Sequence, residues 1–475
     1  MKRLTASALA LVLGLGLALT AAPLWAADET PAPPAAAAET PAPVAAATPA
    51  PAPDASKIIT PQMPAQVKAA IEKSLADPAQ GQKTQEAVAQ GSQKRGERPG
   101  FLGIPGAPDP SLVFGFLWAV WVGWIFSTVG AFGGVMAGVG HMSVFGLGEY
   151  ASTFGKGHPV NKFLTDSIRV SNQWLVGLSS IITSYNYHKM GRLVLPLALC
   201  LAVGSVAGAY LIPELTAGKV SFKQYQGWFG LCVLLLGCII FYETTPKGQL
   251  SKKKAKEAAD IFEQQRKQSG GASCKLETTQ GSFGPFYISL ALVVLGAGIG
   301  SLGKTWFAGS HFVAYVLVGL GALMGLAVGF SQRGRIAFCF GSIEFKFQAG
   351  IPVVGGLVIA ALSAFLGVGG GFLYVPFLTS VAGLPMFLVA GTSALAVLVS
   401  MTTSIGSFMV GQGVGVEWGF IGMELVGVFV GSMIGPRTSK YIPDIWLKRL
   451  FVVLALYVGV GYFLRGFFDF RLPGV

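Results

Sequence analysis

The chain has 475 residues, of which 52% are hydrophobic and only 12% charged. Soluble globular chains carry about twice that charged fraction, so a water-exposed surface is excluded and the mean hydropathy of +0.60 points to a lipid bilayer. The formal net charge of +12 is concentrated between apolar stretches, where it reads as a membrane-orientation signal and not as a nucleic-acid surface.

In chain order, residues 1–26 read as a signal peptide or N-terminal anchor. Lys2 and Arg3 precede an apolar run from Leu9 to Leu19, and small residues follow at Ala26 and Ala27. Residues 27–110 begin with a tract rich in Ala and Pro, which cannot bury a core. They are expected to form a disordered or weakly helical exported tail, with one short helix near Val67–Leu75. From Ser111 the apolar runs approach the roughly 20 residues a spanning helix needs. Expected spans lie at 112–130, 131–148, 166–187, 192–212 and 225–242 in a first repeat, 111–242. A hydrophilic loop, 243–282, separates this repeat from an additional pair at 285–302 and 310–330, within 283–330. A loop at 331–350 carries the partly alternating Phe338, Phe340, Ile343, Phe345, Phe347, which predicts a short extramembrane strand. The second repeat, 351–470, holds spans at 351–366, 370–386, 389–410, 418–436 and 446–464. The fold class expected is an all-α polytopic membrane protein with about 10–12 spans.

The two repeats share ordered anchors. Gly138-Val139-Gly140-His141-Met142 matches Gly367-Val368-Gly369-Gly370-Gly371; Ser171 falls opposite Ser393 and Gly191 opposite Gly413 at an offset of 222. Gly204, Gly208 and Pro213 pair with Gly427, Gly431 and Pro436 at an offset of 223. Charge gives the orientation. The 243–282 loop holds eight basic residues between Lys247 and Lys275 against Glu257, Asp260 and Glu263, so it is expected in the cytoplasm. An exported tail then requires an odd number of crossings before it, and five fits. Two more crossings start the second repeat inside, opposite to the first. The reading is two inverted-topology repeats whose helices are broken at Gly-rich segments, an arrangement many secondary transporters share.

The chemistry-bearing candidates lie at the breaks. Four glycines in Gly367–Gly371, followed by Pro376, make a poor continuous helix. Broken backbone at membrane depth survives where protein or water covers it, and a helix starting there aims free N–H groups at the gap, which suits an anion. A glycine packing seam is the other reading. Hydroxyl and amide residues follow each break: Thr392 and Ser393 in one repeat, Ser171 and Asn172 in the other. They can donate to an oxyanion or cap helices. Arg169 and Asp166 are charges within an apolar region, where charge is expensive and often functional; Arg169 would supply charge, snorkel or pair with Asp166. His141 can contact substrate or protons, or simply pack. Glu417, Glu424 and Asp166 are the carboxylates available to carry a proton. The candidate substrate site is therefore Gly138, Gly140, His141, Arg169, Ser171, Asn172, Gly369, Gly370, Gly371, Thr392 and Ser393.

Other signals are weaker. The stretch Gly298 to Thr305 satisfies the phosphate-loop pattern but ends an apolar run, without the soluble βα unit such a loop needs. The five cysteines form no CxxC, the four histidines are dispersed, and no paired carboxylate or nucleophile–base set appears. No metal, no cofactor and no enzymatic activity are expected.

Gly367–Pro376, then Gly383-Leu384-Pro385, then Ala390-Gly391-Thr392-Ser393 resembles the signature of the sulfite exporter TauE/SafE family, also called TSUP, and Ile343–Phe347 is similar to members as well. The likeness covers 111–242 and 331–464, with His141-Met142 and Ser171-Asn172 departing from the pattern. It implies a transporter of two repeats that moves sulfite, sulfonates or related sulfur anions. The expected protein is thus a multi-pass secondary transporter of the cytoplasmic (inner) membrane, its N-terminal tail outside. It would move a small sulfite-like anion through the lipid bilayer by alternating access, driven by a coupling proton or ion. A transporter of another solute or cation on the same fold, or a membrane scaffold that does not transport, are the alternatives.

Overall fold

The structure, a computed structural model, describes residues 58–96, 98–129, 133–189, 193–246, 248, 277–280, 283–306, 310–340, 343–380, 386–438 and 444–472. The leader, most of the 243–282 loop, Gly191 and Gly383-Leu384-Pro385 lie outside the described residues. The described residues are nearly all helix, apart from one small sheet.

Residues 58–110 form a folded cap: the short helix expected near Val67–Leu75 is present, at Ala65–Leu75, and it packs in a core where a disordered or weakly helical tail was expected. Helices α1 (Ala65–Leu75) and α2 (Pro78–Arg95) pack as a hairpin. Asp77 caps α2 by accepting from the Ala79 amide at 3.0 Å, and Pro78 occupies the first turn. Val67, Ile71, Ala87, Val88, Phe101, Leu102 and Ile104 are buried in one core with Tyr150, Phe154, Val160, Val414 and Val416 of the membrane domain. Few aromatics are needed because Gly91 and Gly106 bring the cap's own backbone segments into contact.

The first repeat runs α3 (Leu112–Val129), α4 (Gly133–Val139), a wide turn at Gly140–Val144, α5 (Leu147–Thr153), α6 (Pro159–Lys189), α7 (Leu195–Thr216) and α8 (Phe222–Thr244). The pair α9 (Gly284–Trp306) and α10 (Ser310–Phe330) follows. The second repeat is α11 (Gly350–Leu366), α12 (Gly371–Ser380), α13 (Met386–Gly406, continued by a wide turn at Ser407–Gly411), α14 (Trp418–Thr438) and α15 (Asp444–Phe468). Among the described residues six helices are long and apolar enough to cross a membrane: α7, α8, α9, α10, α14 and the α13 stretch Gly391–Gly411. Shorter apolar helices occur at Leu112–Ser127, Gly350–Leu366 and Val452–Phe468. Helix α6, 31 residues long, spans about 46 Å; its polar stretch from Asn161 to Ser180 is largely buried by its neighbours, while Ile181 and Tyr185 near its end are exposed. The expected span at 131–148 is instead the half-helix α4 and its turn. Residues 298–305 lie within α9, so the phosphate-loop pattern is continuous helix.

Helix packing reveals the repeat. On α14, a Cβ at Gly427 would meet Phe116 and Val120 of α3, and one at Gly431 would meet Val120 and Trp124. On α7, Gly204 sits in the same way against Val353 and Leu357 of α11, and Gly208 against Leu357 and Ala361. The glycines correspond at the offset of 223. Their partners correspond at 237 (116 to 353, 120 to 357, 124 to 361). Each repeat therefore lends its first helix to the last but one helix of the other, in parallel pairs. Equivalent helices cross on the axis between the repeats. Gly230 of α8 faces Phe463 of α15, and Gly459 of α15 faces Leu234 of α8, so the two run antiparallel. Helices α6 and α13 are antiparallel too: Trp174 lies by Met409, and Gly177 by Met401 and Ile405. Copies whose equivalent helices oppose one another are inverted repeats.

These directions sort the loops onto two faces. One carries the cap, residues 412–417 and the C-terminal Asp469, which pairs with Lys223. The other carries the antiparallel sheet β1 (Glu277–Gln280), β2 (Arg335–Phe340) and β3 (Ile343–Gln348), with Phe338 opposite Phe345. The expected single strand is a hairpin, joined by a strand from the long loop. Helices α9 and α10 pack on α7 through Val293, Ala297, Ala314 and Val318, leaving Tyr287, Phe312 and Leu323 exposed for lipid.

Candidate functional site

Helix α11 ends where Gly367 adopts φ +69°, its amide donating to Ser363 O at 2.8 Å, and Gly369 adopts φ +70°. Only glycine takes these left-handed values cheaply, so the chain turns here and α12 starts at Gly371. Extending the 237 offset from α3 places Gly133-Gly134, at the start of α4, opposite Gly370-Gly371. The equivalent break is therefore at the beginning of α4, not at Gly138–Met142 as the letter match suggested. Gly138 and Gly140 are packing positions, against Phe229 and Trp118 respectively.

The two breaks meet. A Cβ on Gly134 would collide with the Val368 carbonyl and touch Val176 at 3.1 Å, while one on Gly369 would strike Val176 and lie 3.4 Å from Val397. The starts of α4 and α12 thus converge between α6 and α13. The first amides of a helix lack intrahelical partners, and both starts aim a positive dipole end at this point. Asn172 stands one turn from Val176 on α6. It is wholly buried, and its Nδ2 has no hydrogen-bond partner; the neighbouring Gln173 leaves Oε1 unpaired.

Arg169 does not reach the gap as a free cation. Its Nε donates to Phe365 O at 2.8 Å, Nη1 to Asp166 at 2.7 Å, and Nη2 to Thr216 at 3.1 Å and Ala364 O at 3.4 Å. The Phe365 and Phe408 rings lie 5.2 Å and 4.6 Å from its guanidinium carbon. Asp166 also accepts from the Gly218 amide at 2.6 Å. The guanidinium is a clamp: it satisfies the last carbonyls of α11, just before the break, and complements that helix's negative end.

Ser171 donates back to Ser167 O at 2.8 Å, and Thr392 accepts from the Val194 amide at 3.2 Å. Antiparallel pairing of α6 with α13 puts Ser171 near the Val410 end and Ser393 near the Lys189 end. At 1.5 Å per residue the two serines are about 25 Å apart along the helices. They do not converge, although both are buried.

His141 is fully buried on the turn after α4. Its Nδ1 lies 2.5 Å from Asn172 Oδ1 and its Nε2 2.9 Å from Glu424 Oε2 on α14. Phe145 and Phe420 pack around the ring. The pairing with a residue 283 positions away has no local sequence signal, and Glu424 was legible only as a lone carboxylate in an apolar run. Glu417, another candidate, accepts from the Leu102 amide of the cap at 2.9 Å. Among the described residues no group of His, Cys, Asp and Glu is arranged to hold a metal.

Comparison with curated proteins and with solved structures gives no match. The family model described as sulfite exporter TauE/SafE matches residues 278–462. That match begins at β1 and takes in α9 and α10, so the additional pair falls inside the family region and not outside it as expected. The break at Gly367–Gly371 and the helix pair therefore lie within the part of this multi-pass membrane chain that is similar to the sulfite exporter TauE/SafE family.

Proposed function

We propose that the protein is a secondary transporter that moves sulfite, or a related sulfur oxyanion or organosulfonate, by alternating access across the cytoplasmic membrane, with the cap face outside. The observation that carries this reading is the meeting of two half-helix starts, Gly133-Gly134 and Gly370-Gly371, at one point between inverted repeats. A small oxyanion there would accept from backbone amides of both repeats, the arrangement inverted-repeat carriers use for anionic groups. The sheet face carries His188, Lys189, Arg333 and Arg335, together with Thr244 and Glu277, the described ends of the basic 243–282 loop, which supports its assignment to the cytoplasm.

The test is counterflow of radiolabelled sulfite, thiosulfate and methanesulfonate in proteoliposomes holding the full chain. Uptake of at least one is expected, and Gly369→Val or Gly134→Val should abolish it while the protein still elutes as a single species. Equal uptake by empty liposomes and proteoliposomes for all three anions would refute the reading.

A further inference from the structure

The His141, Glu424 and Asn172 cluster has a hydrogen-bond count that decides its protonation. Both imidazole nitrogens face oxygens, Asn172 Oδ1 and Glu424 Oε2. Neutral imidazole has one N–H and one lone pair. With Nδ1–H given to Asn172, the Nε2 lone pair would face a carboxylate unless one more proton is present. That proton makes either an imidazolium beside a carboxylate or a neutral ring beside a carboxylic acid. In both forms the pair binds one exchangeable proton. No solvent reaches it, because His141 is 0% and Glu424 1% exposed.

The pair also joins the two repeats, since His141 belongs to the first and Glu424 to the second. Asn172 links it to Tyr225 of α8, whose hydroxyl donates to Leu366 O at 2.8 Å, the last carbonyl before the Gly367 turn. While Nδ1–H holds Oδ1, the amide turns its Nδ2 toward Gly138, where a Cβ would lie 3.5 Å from it, and toward Tyr225. If the proton leaves and Nδ1 becomes an acceptor, Asn172 flips to donate to it. Its carbonyl oxygen then faces the Tyr225 hydroxyl and competes with Leu366 O for that hydroxyl's proton. Another titratable group nearby is Tyr462 of α15, 2.6 Å from Ser143. Arg169 and Asp166 of α6 neutralise each other. From α3 the neighbour is Trp118, which carries no charge.

We infer that His141 and Glu424 form the proton-coupling site of the carrier, and that Asn172 and Tyr225 carry its protonation state to the turn at Gly367, so that one proton and one anion travel in the same direction. This rests on the anion-transport reading above. The proton is taken up by the pair on one side of the membrane and released from it on the other; no other bond changes.

The experiment uses proteoliposomes of the full chain with trapped pyranine and methanesulfonate as the probe, an anion that carries no proton of its own near neutral pH. Inward methanesulfonate flux should acidify the lumen in proportion to the anion taken up, and counterflow should fall about tenfold per pH unit on the alkaline side of its optimum. In Glu424→Gln the amide can donate to Nε2 permanently; counterflow should become independent of pH and the pyranine signal should vanish. His141→Gln, which removes the titrating ring, should also lose the pyranine signal. Net methanesulfonate uptake in the wild type with no lumenal acidification, or acidification that persists in both variants, overturns the inference while leaving the transport reading intact. No counterflow of methanesulfonate, sulfite or thiosulfate in the wild type overturns both.

Discussion

Replacing Arg169 separates two roles that a buried arginine in a transporter can have. The side chain makes four hydrogen bonds, lies between two phenylalanine rings and has 0% exposure. Arg169→Gln would leave Asp166 buried with the Gly218 amide as its remaining partner and would strip the side-chain donor from Phe365 O, while Ala364 O keeps Gln173 Nε2 at 3.1 Å. Breaking a buried ion pair by removing one partner costs about 3–5 kcal/mol. Removing both with Asp166→Asn should recover part of this, roughly 1–3 kcal/mol of coupling. Arg169→Lys restores charge, but one ammonium cannot serve Phe365 O, Asp166 and Thr216 in the planar fork they require. It should therefore rescue stability incompletely. The assay is the unfolding midpoint of the purified protein in detergent for the wild type, both single variants and the double variant, alongside anion counterflow. A stable Arg169→Gln that has lost counterflow would refute the clamp and make Arg169 an anion ligand after all.

Two further outcomes are expected. Gly208→Val and Gly431→Val each push a side chain onto a carbonyl of the partner helix, Leu357 and Val120 respectively; overpacking of this kind costs about 1–3 kcal/mol or more. Both should lower the fraction that survives heating on size-exclusion chromatography by similar amounts, whereas Gly298→Val and Gly319→Val, which face open space, should not. The cap should dock less firmly in acid. His158 bonds Thr84 at 2.9 Å and Gln80 O at 3.1 Å, and burial holds its pKa below the usual 6.5, with Lys83 acting in the same direction. Because docking favours the neutral ring, its contribution is present above about pH 6.5 and is lost as pH falls below that. Limited proteolysis within residues 58–110 should accelerate between pH 7.5 and pH 5.5, and His158→Gln should flatten that dependence.

The membrane class, the inverted repeat and the break at Gly367–Gly371 were legible because each leaves a mark in composition or fixed spacing. Gly204 and Gly208 read against Gly427 and Gly431 because a close helix crossing tolerates nothing larger at those four positions. The first break was misplaced by five residues and more. Gly138-Val139-Gly140 resembles Gly367-Val368-Gly369 by letter, but depth in the bundle is decided by how α3 and α11 seat on their partners, which no string comparison contains. One helix of the cap was legible and its packing was not, because its core residues Val67, Ile71, Ala87 and Gly91 are few and depend on the membrane domain to cover them. Arg169 looked available because its partners, Phe365 and Thr216, are remote in sequence. His141 was flagged, yet its bond to Glu424 exists only after the repeats exchange helices.

That exchange has a consequence for how the protein is made. Helix α3 is among the first membrane segments to leave the ribosome, but the glycine face it needs, on α14, emerges on the order of 300 residues later, about 15–60 s at usual elongation rates. During that interval the backbone face of α3 has only lipid, or insertion machinery, against it. A chain truncated before Gly427 would retain every residue of its first repeat and still lack the surface on which that repeat closes. Quality control of this protein therefore has a natural checkpoint: the completed chain is the first species in which either half can be whole.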